Sequence, residues 1–167
     1  MRLQQSKEIF FLTLKHPATF VLYPQQRLLL ERGYAALHGA RLNRGVLIGS
    51  LTGVFVAAAS SEFEHYLAAS PAGGSVYAAT GCSASIAAGR LSYTLGLHGP
   101  CAAYDTACSA ALVASHAARR ALQLDECLGS LALGVTLMLT PRVGASFAVA
   151  GMTSASGRSL TFDARAD

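Results

Sequence analysis

The residues best suited to chemistry in this sequence surround Cys108, in the segment Asp105-Thr-Ala-Cys-Ser109. A short apolar run at residues 101–106 precedes the cysteine, and an alanine-rich run at residues 108–122 follows it. This order predicts a thiol at the amino terminus of a helix, where unpaired backbone N–H groups and the helix dipole favour a thiolate. The same N–H groups can hold a tetrahedral oxyanion. Small residues on both sides of the cysteine permit the tight strand-to-helix turn that such a nucleophile needs.

No residue close to Cys108 in the sequence is an evident catalytic base for it. A thiol nucleophile normally needs a base nearby, yet His116 lies eight residues along the same predicted helix, about 12 Å of rise away. His98 precedes the predicted strand and is separated from the cysteine by more than about 20 Å of extended chain. Asp105 is expected to form structural hydrogen bonds. By spacing alone, the simpler interpretation is that Cys108 is a small buried residue that begins an alanine-rich helix.

The elements around this junction alternate between helices and strands. Helices are predicted at residues 24–37, 60–67, 83–95, 108–122 and 141–150, strands at residues 45–50, 101–106 and 131–139, and a loop at residues 151–167. The first helix has proline in its first turn, Ser83 can cap the third, and Gly96 follows it. Because the strands are near-continuous apolar runs that alternate with helices, we predict an α/β fold with a mainly parallel sheet flanked by helices.

Composition excludes several classes of protein. Charged residues make up only 13% of the chain, and the net charge of +4 is scattered, so no nucleic-acid partner is expected. The longest apolar stretch, residues 45–59, is shorter than the roughly 20 residues of a membrane-spanning helix, so we predict no membrane span and a cytoplasmic protein. The four cysteines form no CxxC pair, which argues against a zinc site or disulfides, and most of them are expected to be reduced and buried.

The segment around Cys108 resembles the active-site signature of β-ketoacyl synthases (ketosynthases) of modular polyketide synthases and type I fatty-acid synthases. Other segments resemble this family in the family's order: Pro24-Gln-Gln-Arg-Leu-Leu-Leu-Glu31, Ala79-Thr-Gly81, Ala88-Gly-Arg-Leu-Ser-Tyr93, Leu95-Gly-Leu-His-Gly-Pro100 and Thr161-Phe-Asp-Ala-Arg-Ala-Asp167. Residues 1–22 match poorly, and residues 23–167 are identified as the amino-terminal part of such a domain, truncated at its carboxyl end.

The resemblance implies the amino-terminal half of a thiolase-like fold and an acyltransferase of the 3-oxoacyl-acyl-carrier-protein synthase type. Cys108 is then the catalytic residue that accepts an acyl group, and malonyl extender loses CO2 and condenses with it. No cofactor is bound directly, because the substrates arrive on the phosphopantetheine of an acyl carrier protein. The resemblance also implies a homodimer of the complete domain. The family's two catalytic histidine motifs, which belong to its second half, are not found, so the fragment is expected to be incomplete for full turnover.

Departures from the family pattern and two rival interpretations remain at this point. Tyr23 stands in place of aspartate, Cys82 in place of asparagine, and Ala110 and Ala111 in place of serines. One rival is a hydrolase nucleophile elbow, which would need a Gly-x-Cys-x-Gly turn that is absent here. The other is a non-catalytic remnant that only packs against another subunit.

Overall fold

Seven α-helices and three β-strands form the regular structure of residues 23–59 and 62–165, the part of the chain that the computed structural model describes. The helices are α1 (Pro24–Gly39), α2 (Arg44–Leu47), α3 (Phe63–Ala68), α4 (Ala78–Cys82), α5 (Ala84–Leu95), α6 (Ala110–Gln123) and α7 (Pro141–Val149). The strands are β1 (Thr52–Ala58), β2 (Cys101–Tyr104) and β3 (Gly129–Val135). Short 3-10 turns lie at Pro71–Gly74 and Ala107–Ser109. Residues 1–22, for which a poor family match was predicted, lie outside the described residues.

The three strands form a parallel sheet in the order β2-β1-β3. Val54 lies opposite Cys101, and Thr52 lies opposite Gly129. All seven residues of β1 are buried, as expected for the central strand of a sheet that is covered on both faces. The carboxyl ends of the strands therefore meet at one edge, and the turn that follows β2 leaves the sheet there.

Two apolar clusters cover the two faces of β1. Alternate residues Val54 and Val56 pack into the cluster formed with α1 and α5, whereas Phe55 and Ala57 pack against α6. The buried residues of α6 are all alanines at helical spacing: Ala110, Ala114, Ala118 and Ala121. Because these side chains are small, the helix lies close to the strands that carry the turn at its amino terminus.

The predicted strand at residues 45–50 is wrong, and the strand lies at β1 instead. Residues 44–47 form α2, whose start is capped by the Asn43 side chain: its Oδ1 accepts the Val46 N–H at 3.1 Å. Gly49 then adopts a left-handed φ of 76°, which ends the helical turn and redirects the chain. The apolar stretch thus contains a capped helical turn followed by a strand, and its hydrophobicity alone did not separate the two.

The other predicted elements are present, with ends that differ by a few residues. The predicted helix at residues 60–67 is α3, which begins at Phe63, and residues 60 and 61 lie outside the described residues. Helix α5 ends at Gly96 with a left-handed φ of 67°, as its predicted stop requires. Helix α4 was not predicted. No helix among residues 23–59 and 62–165 is both long and apolar enough to cross a membrane.

Residues 138–165 belong to a second compact unit, whose only regular element in its described part is α7. The helix starts with Pro141 at its first position and is followed at Gly151 by a left-handed φ of 69°. From residue 152 to residue 165 the described chain forms turns and bends, which confirms the predicted loop over that range. An ion pair between Arg165 and Asp163, at 2.6 Å, fixes one of these turns and holds the pKa of Asp163 near 2.

Candidate active site

Cys108 lies on the turn between β2 and α6, as the sequence predicted. Strand β2 ends at Tyr104, the 3-10 turn Ala107–Ser109 carries the cysteine, and α6 begins at Ala110. The cysteine is exposed rather than buried at the start of the helix. The interpretation of Cys108 as a small buried residue is therefore not supported within the described part of the chain.

The turn contains a strained residue immediately before the cysteine. Ala107 has a φ of 53°, in the left-handed region that residues with a side chain rarely adopt. The Oδ1 atom of Asp105 accepts a hydrogen bond from the Ala107 N–H at 3.2 Å. Asp105 thus bonds to the backbone of the turn, which confirms its predicted structural role.

Hydrogen bonds also hold the turn on the other side of the cysteine. The Ser109 hydroxyl donates to the Thr106 carbonyl at 2.7 Å and lies 2.9 Å from the Thr106 hydroxyl. The Ser109 N–H donates to the same carbonyl at 3.3 Å. The backbone on the two sides of Cys108 is therefore held by hydrogen bonds, from the Asp105 side chain before the cysteine and from Ser109 after it.

The Cys108 backbone N–H donates no hydrogen bond to any residue in the described part of the chain. An open donor beside an exposed thiol is the arrangement that a carbonyl substrate needs, because the oxygen that becomes negative during attack requires a hydrogen-bond donor. The helix dipole of α6 adds favourable electrostatic potential at the same place. The turn can thus present both a nucleophile and a donor to one carbonyl group.

The described histidines lie on separate elements. His38 is on α1, His65 on α3, His98 precedes β2 and His116 is on α6. All four are exposed, and no hydrogen bond joins any of them to Cys108 in the described part of the chain. His16 lies outside the described residues. His98 and His116 are therefore solvent-exposed side chains, and neither is an immediate base for Cys108 in the described part of the chain.

The expectation that most cysteines are buried is wrong. Cys127 is buried and Cys82 is half-buried, but Cys101 and Cys108 are exposed, and all four are free. Cys101 is exposed because it begins an edge strand, although neighbouring atoms still desolvate its thiol and raise its pKa. Burial also raises the pKa of Cys82, and the carboxylate of Glu64 raises it further. Both thiols are therefore neutral near pH 7.

A cavity of about 360 Å³ was not predicted from the sequence. It is lined by Glu64, Leu67, Ala68, Gly73, Ala78, Ala79, Cys82 and Ser83. The chain around it is fixed by Gln26, whose side-chain amide donates to the carbonyls of Thr80 and Ser83 and accepts from Arg90 Nε at 2.8 Å. With a neutral thiol and a single carboxylate in its wall, this cavity is a poor setting for nucleophilic attack.

A family model described as "Beta-ketoacyl synthase, N-terminal domain" matches residues 7–167 of the chain. The spectinabilin polyketide synthase system protein NorC of Streptomyces orinoci is 43% identical over 144 residues, which are 86% of this chain and 6% of that protein. The mycocerosic acid synthase-like polyketide synthase of Mycolicibacterium smegmatis is 42% identical over 160 residues, 96% of this chain and 8% of that protein. The chain thus spans less than a tenth of the length of these relatives.

Solved ketosynthase structures share the fold. The ketosynthase from module 6 of the bacillaene synthase from Bacillus subtilis 168 matches with a TM-score of 0.72 at 38% identity, over 82% of this chain and 23% of that chain. The oxazolomycin ketosynthase domain OzmH KS7 of Streptomyces albus JA3453 matches with a TM-score of 0.74 at 33% identity, over 84% and 25% of the two chains. These matches confirm the thiolase-like α/β fold.

Proposed function

Because the chain belongs to the family of β-ketoacyl synthase N-terminal domains, we propose that Cys108 carries the acyl group in the ketosynthase of a polyketide synthase. The observation that carries this assignment is the geometry of the strand-to-helix turn. It presents an exposed thiol, an open backbone N–H and a helix amino terminus together, within the segment that resembles the family's active-site signature.

The first step is transfer of an acyl group to Cys108. The thiolate attacks the carbonyl carbon of an acyl thioester, and the carbonyl oxygen becomes a tetrahedral oxyanion beside the Cys108 N–H. Collapse of this intermediate expels the phosphopantetheine thiolate, which takes up a proton, and leaves the acyl group as a thioester on Cys108. No electrons are exchanged with another group, so the step needs no redox cofactor.

The second step is condensation with a malonyl-type extender. Loss of CO2 from malonyl thioester leaves an enolate, whose carbon attacks the acyl-Cys108 carbonyl and releases the cysteine thiolate. The product is a β-ketoacyl thioester on the carrier. We assign this step to the whole protein, with an acyl carrier protein as partner, no directly bound cofactor, a homodimer of the complete domain and a cytoplasmic location.

Intact mass and peptide mapping after incubation with a short acyl thioester test the first step in this chain. We expect one adduct on Cys108 and none in Cys108→Ala. Cys101→Ala is the matched control, because Cys101 is the other exposed cysteine, and it should retain the adduct. A folded chain without an adduct would support the rival interpretation, a non-catalytic remnant that only packs against another subunit. An adduct that persists in Cys108→Ala would reject Cys108 as the acyl carrier.

A further inference from the structure

We propose that Ser109 is a positioning residue for acyl transfer: its hydroxyl bond to Thr106 holds Ala107 left-handed and so keeps the Cys108 N–H available to the oxyanion. This inference rests on the proposed function, because it concerns the same cysteine. It assigns a role to a side chain that does not itself touch the reacting atoms.

The turn before Cys108 carries a conformational cost at Ala107. Ala107 has a φ of 53°, and an alanine in this region is disfavoured relative to a right-handed helical conformation. The alanine-rich helix α6 begins only three residues later, at Ala110, and alanine has the highest helix propensity of all residues. Without an opposing restraint, the favoured alternative is a helix that starts earlier and includes Cys108.

Side-chain hydrogen bonds of Ser109 and Asp105 restrain the turn. The Ser109 hydroxyl reaches back three residues to the Thr106 carbonyl at 2.7 Å, and the Thr106 hydroxyl lies 2.9 Å away. These contacts close a loop around Ala107 and Cys108. Asp105 holds the same loop from its other end through the Ala107 N–H. Short side chains therefore supply bonds that a continuous helix would otherwise make through its backbone.

The conformation of the turn determines whether the Cys108 N–H is free. If the helix instead began at Asp105, the Cys108 N–H would donate to the carbonyl four residues earlier, that of Tyr104. In the observed turn this amide has no partner among the residues that the structure describes. Acyl transfer needs the donor, whereas alkylation of the thiol needs only the thiolate and access to it. The two reactions thus report separately on the donor and on the thiol.

The test compares the rates at which Cys108 reacts with a short acyl thioester and with iodoacetamide, each followed by peptide mass. Ser109→Ala is expected to slow acylation at least tenfold while it changes the alkylation rate by less than threefold. Ser115→Ala is the matched control, because the exposed Ser115 hydroxyl also donates to a backbone carbonyl. Its acceptor is Ala111, one turn earlier on α6, at 2.8 Å. Both of its rates should equal those of the parent.

A second variant separates positioning from general loss of structure. Glycine adopts positive φ without steric cost, so Ala107→Gly combined with Ser109→Ala should recover most of the acylation rate. Equal acylation by Ser109→Ala and the parent would overturn the inference and leave the proposed function intact. A parallel fall of both rates together with a lower thermal midpoint, not relieved by Ala107→Gly, would also overturn it.

If the parent chain is not acylated, the proposed function fails for this chain, and the turn is tested by amide hydrogen exchange. The exchange rate of the Cys108 amide hydrogen in Ser109→Ala must then differ at least fivefold from its rate in Ser115→Ala. Unchanged exchange would overturn the inference in that case.

Discussion

Tyr23 shows how one buried side chain at the start of α1 couples the fold to pH. It precedes Pro24, its ring packs edge-on against Phe63 at 5.3 Å between centroids, and only 4% of its surface is exposed. Burial raises its pKa to about 12, with smaller contributions from Cys82 and Glu64. Folding therefore suppresses the ionisation of this phenol.

We expect the parent chain to lose stability at high pH because Tyr23 ionises, and we expect Tyr23→Phe not to show this loss. A pKa of about 12 in the folded chain, above the ordinary value of 10.0, means that the folded state holds the proton more tightly. The stabilisation is complete below pH 10 and is lost as the pH rises through about 12, at roughly 1.4 kcal/mol per pH unit.

Denaturant unfolding at a series of pH values from 8 to 12 measures this effect as the difference between the parent and Tyr23→Phe. Cys82, whose pKa is also raised, changes both proteins in the same direction and largely cancels in the difference. A pH-independent difference would contradict the assignment of the shift to Tyr23.

At the scale of elements, the contact of α1 with the sheet depends on Gly33. A Cβ atom added there would lie 2.8 Å from Leu91 Cδ2 and 3.1 Å from Leu133 Cδ1, both side chains of the packed interior. Gly89, in the middle of α5, has open space around the same position. Both glycines lie within helices, and only Gly33 is required by packing.

Gly33→Ala is expected to lower the free energy of unfolding by about 1–3 kcal/mol, because overpacking outweighs the gain in helix propensity. Gly89→Ala is its control and should raise that free energy by up to about 1 kcal/mol. Chemical denaturation measures both. Stabilisation by Gly33→Ala would show that α1 moves away from Leu91 without cost.

The elements that the sequence predicted well are those whose signals are local. The junction at Cys108 was predictable because an apolar run, a set of small residues and an alanine-rich run follow one another directly. The role of Gln26 was not, because it is 2% exposed and bonds to Thr80 and Ser83, which are 54 and 57 residues away in sequence. A glutamine in the first turn of a helix has no sequence signal for such burial.

The misplaced first strand has a related cause. Hydrophobicity predicted a strand at residues 45–50, but the Asn43 cap and the φ of Gly49 decided where the chain turned from helix to strand. Such a boundary depends on single hydrogen bonds and dihedral angles, which compete at energies of about 1 kcal/mol. Patterns averaged over a window do not resolve differences of that size.

In the compact unit that ends at Leu137, exposed apolar side chains lie where the strands of the sheet begin, at their amino-terminal ends. Leu51 and Leu128 directly precede the paired residues Thr52 and Gly129, and the Leu128 N–H donates to the Leu51 carbonyl at 2.9 Å. Their exposures are 48% and 84%. Adjacent exposed leucines of this kind favour association, and a formal net charge of +4 opposes it only weakly.

We therefore expect concentration-dependent association, measurable by light scattering, that decreases in the double variant Leu51→Lys/Leu128→Lys. Because added positive charge alone reduces association, the control is Ser115→Lys/Gln123→Lys, which adds the same charge at exposed polar residues and leaves the apolar surface unchanged. The first double variant should scatter less than the control at equal concentration, with an unchanged thermal midpoint, since neither leucine is buried. If the two double variants scattered equally, the added charge alone would account for the decrease. The association surface would then lie elsewhere than at Leu51 and Leu128.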